Sequence, residues 1–176
     1  TTGTEESEAI DDGDKKFWEG VWEGKTRIYF DEAGDETTSE TDYWVDLTYR
    51  VVATATQYNV YSKEDYNAAL ESVGEVDYEW YDTAVIAKTL SESSSEVVAV
   101  TYYPNDPVGE EYWKERIFLN ADGTIWGTSY YNDNGTLDED DDMYYYGSIA
   151  DAETNLTSME PIDWVFGENT GLTKVE

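Results

Sequence analysis

From Trp22 to Phe30 the chain alternates: Trp22, Gly24, Thr26, Ile28 and Phe30 share one side, and Glu23, Lys25, Arg27 and Tyr29 share the other. A period of two marks a half-buried strand. The same period returns near 41–56, where Tyr43, Val45, Leu47, Tyr49, Val51 and Ala53 face one way. Further strands are predicted near 76–89, 96–103, 111–119, 124–131 and 142–149. Turn chemistry separates several of them. Asp31-Glu-Ala-Gly34 turns the first strand, Asn120-Ala-Asp-Gly123 suits a tight hairpin with glycine at positive φ, and Asn134-Gly135 is a strong two-residue turn signal. One helix is predicted near 63–73, with Ser62 as cap, Asp65 in the capping-box position, and Gly74 as the stop. Tyr66, Ala69, Leu70 and Val73 recur there at helical spacing. A short apolar patch near Ile162–Phe166 is expected to pack across an opening. Together these elements specify a mostly β fold: an antiparallel meander barrel or strongly curved sheet of about seven to nine strands with one inserted helix. A two-sheet sandwich is the rival architecture.

Charge decides what such a barrel is suited to. The chain carries 41 Asp and Glu against 10 Lys and Arg, for a net charge of −31 over 176 residues. At molar salt the Debye length falls to about 3 Å, so the excess reads as adaptation to a salty or cation-rich medium. Residues 1–14 hold a single large apolar side chain, Ile10, and read as an acidic N-terminal arm ahead of one domain spanning 15–176. The polar start at Thr1, without Met, and the sequons at Asn134 and Asn155 are those expected of an exported, processed chain, secreted or held at the cell surface. An anionic surface repels nucleic acid and anionic lipid, and no apolar run reaches the length of a membrane span. With no His and no Cys, imidazole and thiol chemistry are excluded. Carboxylate pairs alone can hydrolyse glycosides, but among 41 acids any spacing can be found, so a pair carries no weight. The expectation is a non-enzymatic protein without a cofactor.

Aromatic residues offer the best candidates for a binding function. Tyr43, Tyr49, Trp80, Trp113, Trp126, Tyr130 and Tyr145 fall on alternating positions able to share one interior. Tyr and Trp combine an apolar body with a hydrogen-bonding tip, which suits a small apolar or aromatic ligand. The competing readings are a barrel that fills itself with these rings and a contact surface on the outer face. Tyr144-Tyr145-Tyr146 shows rings to both faces of its segment. Asp138-Glu-Asp-Asp-Asp142 is the densest charge run. It reads as a solvated loop, with a weak Ca²⁺ site on Asp138, Asp140 and Asp142 as the alternative, since hard cations want several oxygen ligands.

Phe17-Trp-Glu-Gly-Val-Trp-Glu-Gly24 opens the first strand, and within it Gly20-Val21-Trp22 resembles the Gly-x-Trp signature of lipocalins and of fatty-acid-binding-type barrels. The resemblance covers about eight residues and the meander layout. It implies that Trp22 closes the bottom of the barrel beside a short helical turn, or touches ligand directly. Lipocalins usually stack an Arg from near the last strand on that Trp, and here no Arg follows Arg116. The haem site of nitrobindin-like barrels needs a His that this chain lacks. The expected function is thus an exported lipocalin-like binding protein for a small apolar or aromatic ligand, adapted to high salt. The alternative is a structural subunit of a filament, surface layer or virus particle, self-assembling as the N-terminal arm adds a strand to a neighbour's sheet.

Overall fold

The computed structural model describes residues 15–66, 77–105, 111–161 and 171–176. The N-terminal arm, the Ile162–Phe166 patch and the later part of the predicted 63–73 helix lie outside the described residues.

Ten strands form one antiparallel sheet: β1 (Gly20–Phe30), β2 (Glu36–Thr37), β3 (Tyr43–Ala53), β4 (Gln57–Tyr66), β5 (Glu79–Glu92), β6 (Glu96–Tyr102), β7 (Trp113–Leu119), β8 (Ile125–Tyr131), β9 (Ser158–Pro161) and β10 (Thr173–Lys174). Their spatial order is β10-β1-β3-β4-β5-β6-β7-β8-β9, with β2 a short flap on β1. It is the predicted meander, curled into a half-barrel with one α-helix among the described residues. The turns follow their residues. Gly34, Gly123 and Gly135 take φ of 90°, 89° and 72°, and Asn134 joins them at 53°.

The C-terminal segment links the two sides of the curl. Leu172 exchanges backbone hydrogen bonds with Ile125 at the start of β8, at 2.8 and 2.9 Å, while Thr173 and Lys174 pair with Glu23 and Trp22 on β1. Val21 N–H donates to the Glu176 carbonyl at 2.9 Å and its own carbonyl accepts from Val175 at 2.7 Å. Close approach makes glycine necessary here. A Cβ on Gly171 would lie 2.6 Å from the Ile125 carbonyl oxygen, and one on Gly20 would lie 2.4 Å from that of Glu176.

Side-chain parity then builds two cores. Trp18, Trp22, Val51, Val60, Val97, Ile117, Ile125 and Leu172 bury against one another on the inner face. On the outer face of β6–β8, helix α1 (Ile149–Asn155) covers a smaller core in which Ala152 and the following Leu156 meet Val100. Among the described residues no helix is long and apolar enough to cross a membrane.

Two predicted elements are corrected. Residues 63–66 are strand, because β4 pairs with β3 from Tyr58↔Ala53 through to Tyr66↔Val45, and that ladder outweighs the local capping signal at Ser62. A helix that the sequence reading did not place stands at 149–155, where Ser148 caps it by accepting from the Asp151 N–H at 3.2 Å. Residues 142–149 form no strand: they make only isolated bridges, Met143 to Asn132 and Tyr146 to Tyr112, before α1 begins.

Candidate functional site

Register determines which side chains meet inside. Antiparallel partners share a face, and residues two apart along a strand share it too. Ile117 pairs with Val97 and belongs to the inner core, so Glu115 and Trp113 on the same strand also face inward, opposite Ala99 and Thr101. On β5, Asp82 pairs with the core residue Val60 and Ala84 with Tyr58, so Asp82 takes the inner face as well.

Glu115 is the centre of this group. It is 3% exposed, and its Oε1 accepts from the Thr101 hydroxyl at 2.5 Å and the Tyr103 phenol at 2.7 Å. Its Oε2 has no hydrogen-bond partner among the described residues. Burial pushes the Glu115 carboxyl above the usual carboxylate range, the two hydrogen bonds oppose the shift, and the Asp82 charge adds to it. Tyr58, also buried, has its phenol pushed up by burial and by the nearby Glu115. Trp113 borders the cluster: its ring stands edge-on to Tyr103 at 5.8 Å and tilted against Tyr145 at 5.4 Å. The Trp113 Nε1–H is buried without an acceptor among the described residues. A buried polar group without a partner costs about 1–3 kcal/mol; among the described residues Trp126 Nε1 and Thr128 Oγ1 on β8 share that condition.

The rest of the inner core is apolar. Trp22 is 1% exposed; its Nε1–H donates to the Trp18 carbonyl at 2.9 Å, and the Trp18 Nε1–H donates to the Thr54 carbonyl at 3.0 Å. Trp22 is therefore a core plug. Tyr49 lies in the same core, edge-on to Tyr81 at 5.8 Å, and Tyr43 shares its face further along β3, paired with Phe30. The other ring positions divide. Leu119 pairs with Ile125 and Phe118 with Trp126, so Trp126 and Tyr130 face the side opposite Trp113 and Glu115. Trp126 packs edge-on to Phe118 at 4.3 Å, and Tyr130 lies under the Lys114 ammonium at 4.7 Å beside α1. A register shift between Val60 and Tyr61 breaks the alternation on β5, so Trp80 pairs with Tyr61 on the outer face although Asp82 faces inward; Trp80 is 50% exposed and donates to Thr83 Oγ1 at 3.0 Å. Tyr145 is 39% exposed at the edge of Trp113. One parity step along β8 thus splits the expected single aromatic set.

Glu115 was hidden among 41 acids. The signal that marks it is phase: a carboxylate stands between Trp113 and Ile117 where the alternation calls for an apolar residue.

The strand cations sit on the other side of the sheet. By register Lys25, Arg27, Arg50, Lys63, Lys88, Lys114 and Arg116 all take the outer face, and each has a role there. Arg27 grips Asp46 with two hydrogen bonds, 2.6 and 3.0 Å, while its guanidinium lies 3.7 Å from the Trp44 ring centre. Arg27 and Lys25 hold the Asp46 carboxyl below the usual range. Arg50 bonds Glu23 and covers the Tyr78 ring, which Lys63 also approaches. Lys88 pairs with Glu153, Lys114 donates to the Glu153 and Leu156 carbonyls at the end of α1, and Arg116 pairs with Glu96.

In the acidic run, Asp138 caps a short 3₁₀ turn at Glu139–Asp141 by accepting from the Asp140 N–H at 3.1 Å. Asp142 is pushed up by partial desolvation and by the surrounding Asp133, Glu139, Asp138 and Asp141. Among the described residues no three carboxylates are gathered to hold a metal ion, so Asp138, Asp140 and Asp142 do not form the cluster that a Ca²⁺ site needs.

No protein family, no curated protein and no solved structure matches the chain.

Proposed function

We propose that this chain is an exported, non-enzymatic binding protein, adapted to high salt, that takes a small aromatic ligand on the inner face of its half-barrel. One observation carries the reading: the buried Glu115 Oε2 and Trp113 Nε1–H stand without partners beside the Tyr103 and Tyr145 rings. Rings supply contact area, and a few convergent polar atoms supply orientation, as binding sites require. Trp22 supports the lipocalin-like comparison by plugging the apolar end. Lys174, 5.9 Å from the centre of the Trp22 ring, occupies the role that lipocalins give to an Arg.

The test is equilibrium binding of the neutral fluorescent probe N-phenyl-1-naphthylamine in molar KCl. The wild-type protein is expected to bind it and quench Trp emission. Trp113→Ala should weaken binding by more than tenfold, about 1.4 kcal/mol, while Trp80→Ala on the outer face leaves it unchanged. A native protein that binds no probe, with Trp113→Ala costing about 3–5 kcal/mol of stability, would make the rings simple core.

A further inference from the structure

One patch departs from the acidic shell. Register lines up Glu23, Arg50, Tyr61 and Trp80 across the outer face of β1, β3, β4 and β5, with Lys25, Thr48 and Lys63 in the row beside them. Arg27, Asp46 and Asp65 make a third row. Four cations thus stand against three carboxylates, where the chain as a whole has 10 against 41. Two of those carboxylates, Glu23 and Asp46, are already held by Arg50, Arg27 and Lys25. The cations keep donors to spare. Arg27 spends only Nε and Nη2 on Asp46, and Arg50 spends the same pair on Glu23. The Lys25 side chain is 61% exposed, and Trp80 ends the first row with a half-exposed ring. The loop after β8 carries the opposite charge. Asp138, Glu139, Asp140 and Asp141 are exposed, and among the described residues no cation pairs with them. The 3₁₀ turn and a hydrogen bond from Asn134 Nδ2 to the Asp141 carbonyl fix the loop's shape. Leu137 ahead of the acids is fully exposed, and Met143 behind them is nearly half exposed. Large apolar side chains left in water beside uncompensated charge mark a contact surface.

We infer that the two surfaces are partners between copies of this chain: the acidic loop of one copy docks on the outer face of β1–β5 of the next. Its carboxylates take the spare donors of Lys25, Arg27 and Arg50, and Leu137 and Met143 rest on the Trp80 ring. The occupant is a second copy because the chain itself carries the matching piece, acid without a cation and flanked by apolar side chains. Within one copy the two surfaces do not meet, with β6 and β7 between β5 and β8. Loop and face are different parts of the surface, so the contact runs head to tail and copies add in a row. Two bodies of charge −31 repel one another in dilute buffer. At molar salt the screening length is about 3 Å, which removes that repulsion and still leaves ion pairs at contact distance. The inference goes beyond the inner-face reading and does not depend on it.

The experiment is sedimentation velocity in molar KCl at roughly 0.1–1 mM protein, a range suited to a small, transient interface. The wild type is expected to sediment as a monomer when dilute and as progressively longer oligomers when concentrated. A face variant, Lys25→Gln with Trp80→Ala, keeps the loop. A loop variant, Leu137→Ser with Asp140→Asn and Asp141→Asn, keeps the face. Each alone should associate at least about tenfold more weakly than the wild type. Mixed in equal amounts, the two should form a dimer and nothing longer, because the intact loop of one meets the intact face of the other and the remaining surfaces are blocked. All substituted side chains are exposed, and melting temperatures check that both variants fold; should the face variant melt early, Lys25→Gln alone replaces it. A wild type that stays monomeric across the range overturns the inference. So does a variant that associates as the wild type does. Variants that fall apart but form no dimer on mixing leave the face to an acidic partner other than this chain, and overturn it as well.

Discussion

Lys174 and Trp22 are register partners across the first and last strands, and the lysine ammonium stands 5.9 Å from the centre of the indole. The pair locks the C-terminal segment onto the plugged end of the half-barrel. Its two members contribute unequally. Trp22→Ala should cost about 3–5 kcal/mol, since it empties a fully buried site. Lys174→Ala should cost less than about 1 kcal/mol, because the lysine lies at the surface. Urea denaturation in high salt measures both, and equal losses would be inconsistent with a buried plug under an exposed clamp.

Backbone contact at the same seam gives a second expectation. Gly171→Ala and Gly20→Ala drive a Cβ into the carbonyls of Ile125 and Glu176, and Gly20 also sits at φ 137°. Each should destabilise by about 1–3 kcal/mol. Gly147→Ala meets open space and should stay within about 0.5 kcal/mol. Should all three behave alike, the C-terminal segment is not held as described.

Glu115 makes stability depend on pH in a direction opposite to that of most acids. Its carboxyl is held above the usual range, so the folded state keeps this proton more tightly than the unfolded chain does. The contribution is fully present below the ordinary Glu value of about 4.3 and is lost as pH rises through the raised folded value. Glu115→Gln keeps the neutral shape and an acceptor for Thr101 and Tyr103. Its melting temperature should therefore exceed that of the wild type at neutral pH, and the two should converge near pH 4. A constant offset at every pH would mean that the carboxyl does not titrate in a buried site. Asp46 works the other way: Arg27 and Lys25 hold it low, so its stabilisation is present above the ordinary Asp range and fades as pH falls.

Much of the sheet was legible because period two is a strong signal. Strands around 20–30, 79–92, 96–102, 113–119 and 125–131 stand close to where alternation put them. What failed was local. Ser62 and Asp65 look like a helix start, but long-range pairing with β3 decided their conformation, and no short window contains that partner. Ser148, three residues before Asp151, carried the signal for the 149–155 helix and was overshadowed by the tyrosines just before it. The binding face was half legible: Trp22, Tyr43, Tyr49 and Trp113 share the inner side, whereas Trp126 and Tyr130 fall on the other because Ile125 takes the inward phase on β8. Neither Glu115 nor Asp82 could be told from the other acids without the register.

Salt should govern folding. A net charge of −31 opposes a compact state whose margin is about 5–15 kcal/mol. The melting temperature is expected to climb steeply from dilute buffer to molar NaCl, with divalent cations no more effective than their ionic strength explains, since no carboxylate cluster gathers them among the described residues. A flat salt profile would remove the high-salt reading of the composition.

The central claim, that the inner face around Trp113 and Glu115 receives a ligand, is tested most directly by the indole N–H signals of the seven tryptophans in a ¹H–¹⁵N spectrum. Single Trp→Phe variants assign the signals. Titration with N-phenyl-1-naphthylamine in molar KCl should shift the Trp113 signal most, because its Nε1–H is buried without an acceptor among the described residues. Trp80, on the outer face, should hold still. Movement confined to Trp80, or none at all at saturating ligand, would contradict the account.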